Sequence, residues 1–141
     1  MAITLANDTA IDMCDARVDK LDQGAGAGKV KIYTGTKPTN ADAAISDTLL
    51  VTFTAADPAF GNAADTNPDA RATANSLPIT GSPAASGNAG WYLATDSDDN
   101  PLWAGSVTTS GGGGDMEINS VVIAVGTDVD ITSWFATQPE N

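Results

Sequence analysis

Side chains of one chemical kind recur at alternating positions in the run Asp96-Ser-Asp98-Asp99-Asn100. The oxygens of Asp96, Asp98 and Asn100 are the hard donors a calcium ion takes, and a loop is where such donors converge. A complete calcium loop also needs a glycine at its sharp turn and a bidentate glutamate at its end. Neither follows here. Asp and Asn equally favour tight turns, because their side chains accept from nearby backbone N–H groups. A structural turn is the preferred reading, and Asp96, Asp98 and Asn100 are kept as the metal candidates.

Other chemistries find less support. The chain has no histidine and one cysteine, Cys14. A thiol nucleophile would want a neighbouring base that is not there, and a disulfide framework is excluded. Gly24-Ala-Gly-Ala-Gly-Lys29 looks like a phosphate loop, but such a loop follows a strand and opens a helix. Here the glycines follow a helix and precede a strand. Carboxylate pairs are too abundant to mark a glycosidase cleft. Trp91, Tyr92, Trp103 and Trp134 are able to stack on sugars, although such residues more often anchor a core or an interface. No catalytic residue and no cofactor is expected, and the chain reads as a non-enzyme.

Charge narrows the partners. The formal charge is −12, and all six basic residues lie at or before Arg71. So acidic a chain repels phosphate backbones and anionic membrane surfaces, which argues against both as partners. Lys29, Lys31 and Lys37 make the first half the candidate for docking on an acidic partner. The competing reading is that the acids are solvated turn residues that keep a β-rich chain soluble.

The elements that position these groups are legible in outline. A helix is expected over residues 7–23, capped by Asn7 or Asp8 and ended by Gly24–Gly28. Its apolar residues Ile11, Cys14, Val18 and Leu21 form one narrow stripe, which must lie against a sheet or another subunit. These four residues are therefore interface candidates. The rest alternates as strands: Lys29–Tyr33, Thr48–Thr54, a weaker Arg71–Ile79, a hairpin of Gly90–Thr95 with Leu102–Thr108, a long Asp115–Val125, and Val129 to near Phe135. A phase change at Asn119-Ser120 predicts a bulge or bend. With aromatics at 6%, the core is expected to rest on Val, Ile, Leu and Ala. The start lacks a basic region followed by an apolar run, so no signal peptide is read, and no apolar run is long enough to span a membrane. The expectation is one mainly β domain over 1–141. It comprises an N-terminal α-helix, a β-sandwich or jelly-roll body over 29–136 with about seven or eight antiparallel strands, and a frayed tail over 137–141.

Several segments are similar to those of a known family. Asn7-Asp-Thr-Ala-Ile-Asp-Met-Cys-Asp-Ala-Arg-Val-Asp19, Lys29-Val-Lys-Ile-Tyr-Thr-Gly-Thr-Lys-Pro38 and Asp57-Pro-Ala-Phe-Gly61 resemble small virion structural proteins of tailed bacteriophages. So do Trp91-Tyr-Leu-Ala-Thr-Asp-Ser-Asp98 and the stretch from Asp115-Met-Glu-Ile-Asn119 to Thr132. The resemblance implies a capsid decoration, or cement, protein. It would be made in the host cytoplasm, carried on the virion surface, bound to the major capsid protein and trimeric. The alternative it leaves open is a tail or fibre component that binds a host glycan or receptor.

Overall fold

The computed structural model describes residues 3–141. Helix α1 covers Asn7–Asp19 and tightens into a single 3-10 turn over Lys20–Asp22. Gln23 returns to extended backbone, and Gly24 follows at φ 115°, a conformation open to a residue without a Cβ. The helix start differs from expectation: Ala6 occupies the capping position and no side chain caps it. Asn7 instead donates its amide to Asp65 Oδ2 at 2.7 Å, tying the helix start to a strand.

Eleven strands follow: β1 Lys29–Tyr33, β2 Leu49–Thr54, β3 Ala64–Asp65, β4 Asp69–Thr73, β5 Ile79–Gly81, β6 Gly87–Asn88, β7 Trp91–Thr95, β8 Pro101–Thr109, β9 Met116–Ile118, β10 Val122–Ile123 and β11 Val129–Pro139. Nine of them form one sheet, ordered β2-β1-β7-β8-β9-β11-β4-β3, with β5 paired to β11 off that path. β10 and β6 form a separate ladder. The chain is thus mainly β with one N-terminal helix, as expected, but the count and the pairing are corrected. Strands of two residues, such as β3, β6 and β10, have no period to read in a sequence. The sheet is also mixed, because β8 and β9 run parallel.

That parallel pair has an unusually short connection, since parallel neighbours ordinarily need a crossover of a dozen residues or more. The chain solves this with a hook over 110–115. Gly111 (φ 87°) and Gly113 (φ 81°) supply two left-handed residues. Gly112 N–H donates to Thr109 O at 2.9 Å and Gly114 N–H to Thr108 Oγ1 at 3.0 Å, so the hook lies back along β8. The run Gly111–Gly114 is thus part of a hydrogen-bonded reversal.

The two ends of the sheet close over each other. Gly81 of β5 lies against β2, where a Cβ would stand 2.8 Å from the Phe53 ring. One continuous core results, with Val30, Ile32, Val51 and Phe53 from one side and Met116, Ile118, Ile131 and Trp134 from the other. The helix seats on β4 and β11, where Ala70, Ala72 and Ala136 leave room for it. Strand β7 is buried on both faces. Tyr92 and Ala94 join the main core, while Trp91 and Leu93 form a second cluster with Tyr33, covered by Ala41 from the long β1–β2 loop. The core is therefore more aromatic than composition implied: Trp91, Trp134, Tyr92 and Phe53 are among its largest fully buried side chains.

Three boundaries are corrected for the same reason, that pairing overrides local pattern. The Arg71–Ile79 strand splits into β4 and β5, and the Asp115–Val125 strand breaks into β9 and β10 at the predicted Asn119-Ser120 bend. The tail is not frayed. Thr137, Gln138 and Pro139 pair with Arg71, Ala70 and Asp69, and Glu140 O accepts from Leu5 N–H at 2.6 Å. Residues 137–140 belong to the body.

Candidate functional site

The acidic hairpin tip is satisfied from within. Asp99 N–H donates to Asp96 O at 3.2 Å, and Asp99 takes a left-handed φ of 67°, which Asp tolerates better than most residues. The Asp96 carboxylate accepts from the N–H groups of Asp98 at 2.9 Å and Asn100 at 3.0 Å, and from the Asn100 amide at 2.9 Å. The Asn100 bonds, chiefly that of its side chain, hold the Asp96 carboxyl below its ordinary range. Asn100 thus uses its amide as a donor to Asp96. Among the described residues no group of three or more His, Cys, Asp or Glu side chains is placed to hold a metal ion. Asp96, Asp98 and Asn100 make the turn that joins β7 to β8.

The same tip takes up two of the candidate docking lysines. Asp99 Oδ1 lies 2.9 Å from Lys31 Nζ and 3.2 Å from Lys29 Nζ, and these contacts hold its carboxyl below the usual range. Lys37 stands exposed on the β1–β2 loop. The helix stripe expected at an interface is internal. Cys14, Val18 and Leu21 are buried in the main core, and Ile11 is half-buried against it. The Cys14 thiol donates to Ala136 O at 3.3 Å, and burial pushes its pKa up, away from a reactive thiolate.

The aromatic candidates are mostly spoken for. Trp91 and Tyr92 are 1% exposed and Trp134 is 0% exposed, so none offers a face to a sugar. Trp91 stacks on Tyr33 at 4.7 Å, and its indole N–H donates to Thr34 O at 3.1 Å and Asp47 Oδ2 at 3.0 Å. Trp103 alone remains partly open, at the edge of a cleft that the sequence does not announce.

This cleft exists because β9 is short. β9 lies between β8 and β11 and begins at Met116. Before that point β8 and β11 run on without a strand between them. Asp115 closes one end: its O accepts from Phe135 N–H at 3.0 Å, and its carboxylate accepts from Ser106 N–H at 3.2 Å and Ser106 Oγ at 3.1 Å. Tyr92, Trp103 and Phe135 line the cleft, and the buried Trp134 packs against Tyr92 and Trp103. Trp134 meets Phe60 at 4.6 Å and Tyr92 at 5.8 Å, both edge-to-face, and Trp103 donates to Tyr92 Oη at 3.1 Å. Burial pushes the Tyr92 phenol up to about 12.

Two arginines border the opening. Arg17 reaches from the helix, its guanidinium 5.5 Å over Trp103, and donates to Thr137 O at 2.9 Å. Arg71 reaches from β4, 4.8 Å over Phe135. Nε of each is buried without a hydrogen-bond partner, and among the described residues neither arginine forms an ion pair. The cavity beside Arg17 measures about 160 Å³. The one beside Arg71 measures about 260 Å³, and the two share Asp115, Phe135 and Thr137. Sequence reasoning missed Arg17, Arg71, Asp115, Phe135 and Thr137 as a group. The available signal was Arg17 itself, a cation flanking the apolar stripe of the helix.

Among the described residues no helix is long and apolar enough to cross a membrane. Comparison with known proteins assigns no family: no family model matches the chain, and neither a curated protein nor a solved structure matches it.

Proposed function

We propose that the chain is a non-catalytic structural protein of a tailed-phage virion, a decoration protein seated on the outer face of the capsid shell. In this reading it is made in the host cytoplasm, binds the major capsid protein as a homotrimer, and stabilises the shell against internal DNA pressure without a cofactor. The reading starts from the sequence resemblance. One structural observation supports it: several large apolar side chains are left exposed on the surface. Ile3 is 67% and Met13 45% exposed, beside a cavity of about 290 Å³ that Leu5 and Pro139 also line. Val122 in β10 and Val125 in the turn after it are 69% and 60% exposed. Side chains of this kind are suited to burial against neighbouring subunits.

Copy number in purified virions, relative to the major capsid protein, tests this. A near-stoichiometric ratio is expected. A few copies per particle would move the protein to the tail or fibre, and absence from virions would end the virion reading.

A further inference from the structure

Independently of that reading, we propose that the cleft between β8 and β11 binds an extended peptide segment carrying adjacent carboxylates, which enters as a strand continuing β9. Three observations lead there.

The first is a pair of strand edges that border the cleft, that of β8 open and that of β11 partly taken by Arg17. Ser106 N–H turns away from β7 to meet Asp115. Backbone groups alternate along a strand, so the N–H and C=O of Ala104, two residues earlier, point the same way, into the cleft. On the far side Phe135 N–H meets Asp115 O, and the same alternation turns the N–H and C=O of Thr137 into the cleft. Arg17 covers that carbonyl. Ala104 and Thr137 both line the cavity. The Asp115 side chain and carbonyl occupy the place of one strand residue, and the space below it lacks the rest of the strand. Strand addition to such an edge is a recurrent mode of peptide recognition.

The second is the state of the arginines. An aromatic ring covers one face of each guanidinium and leaves its edges to bond. Arg17 uses one edge on Thr137 O, whereas among the described residues the Arg71 guanidinium makes no hydrogen bond and its Nε is buried. Buried charged donors without acceptors are costly, and a carboxylate matches the fork of a guanidinium with two parallel bonds.

The third is their placement. Arg17 belongs to the core side of the sheet, with Trp103 and the helix. Arg71 neighbours Ala70 and Ala72, which face the core, so it lies on the outer side, with Phe135. An extended segment turns successive side chains to opposite faces. Two consecutive acidic residues would therefore meet one arginine each. Asp115 and Glu117 at the outer cavity disfavour a bare small anion, while a peptide also brings N–H donors that carboxylates accept.

The test uses the full chain and three probes: the capped peptide acetyl-Val-Asp-Glu-Val-amide, its Asn-Gln counterpart, and free succinate. Binding is followed by calorimetry and by the indole N–H resonance of Trp103. The acidic peptide is expected to saturate and to shift that resonance, with the neutral peptide and succinate each roughly ten-fold weaker or more. Arg71→Gln is expected to weaken the acidic peptide by roughly ten-fold with the unfolding temperature unchanged. Arg71→Lys, which keeps the charge but loses the fork, takes its place if Arg71→Gln does not fold. The proposal is overturned by equal binding of the neutral peptide, by succinate binding as tightly as the acidic peptide, by no effect of the Arg71 variants, or by no saturable binding.

Discussion

Two pairs of cations in this molecule meet opposite fates. Lys29 and Lys31 lie on one face of β1 and share Asp99, at the tip of the hairpin whose first strand pairs with β1. Arg17 and Arg71 come from the helix and from β4, and among the described residues neither forms an ion pair, although the chain carries three times as many acidic as basic residues, 18 against 6. The chemistry of the two head groups explains the difference. An ammonium is a compact, strongly hydrated point charge, and at a sheet surface it settles on a carboxylate. A guanidinium is flat and weakly hydrated, so the rings of Trp103 and Phe135 compensate its faces and leave its edges unmatched. Charge resolved within one hairpin is closed to partners. Charge held on aromatic rings beside an interrupted sheet stays available.

The strongest way to break this contrast is to remove the buried ring behind Tyr92 and Trp103. Trp134→Ala deletes a fully buried indole that touches Phe60, Tyr92 and Trp103, and should cost about 3–5 kcal/mol by denaturant unfolding. A cost below about 1 kcal/mol would mean that the ring is loosely held and the cleft has no rigid base.

A finer cut is Tyr92→Phe. It removes the acceptor of the Trp103 indole N–H and should cost about 1 kcal/mol, as for one partly buried hydrogen bond. Alkaline titration reports on the same group. Burial raises the pKa of both tyrosines, and Tyr92 rises from 10.0 to about 12. A phenol whose pKa is raised by folding adds stability that is full below pH 10 and is lost as pH climbs toward 12. Native tyrosinate absorbance should therefore appear above pH 10, with the last step missing in Tyr92→Phe. A native titration centred at 10 would show that the Tyr92 phenol is wet.

The smallest effect is expected at the lysine pair. Asp99→Asn removes both ion pairs, yet all partners are solvated, so stability near neutral pH should move within error. The acid limb is the sharper readout. The carboxyls of Asp96 and Asp99 are lowered in the fold, so each adds stability that is present above the ordinary carboxylate range and is lost as pH falls through the lowered value. Asp99→Asn should flatten that limb, and NMR titration should place both carboxyls below their unfolded values. A large loss at neutral pH would mean that the two cation pairs are not different in kind.

Much of the frame was legible in advance. The first strand forms at Lys29–Tyr33 as read, and the hairpin and the Asn119-Ser120 break fall where turn chemistry and phase place them. The helix stripe is real, but its reading as an interface was wrong, because Ala70, Ala72 and Ala136 lie far along the chain and nothing local says that they make a seat for it. The tail looked frayed because Gln138-Pro-Glu-Asn141 has no apolar alternation, whereas its order comes from pairing with β4 and from Leu5.

By itself, then, the sequence determined the mainly β class, the single helix with its apolar stripe, the β7–β8 hairpin and the turn chemistry of Asp96–Asn100. All of these follow from local periodicity and side-chain preference. Only the tertiary structure decided that Asp99 neutralises Lys29 and Lys31, that both faces of β7 are buried, and that Arg17 and Arg71 flank a gap in the sheet. These depend on where β9 begins relative to β8 and β11, a matter of register between distant segments that no local pattern encodes.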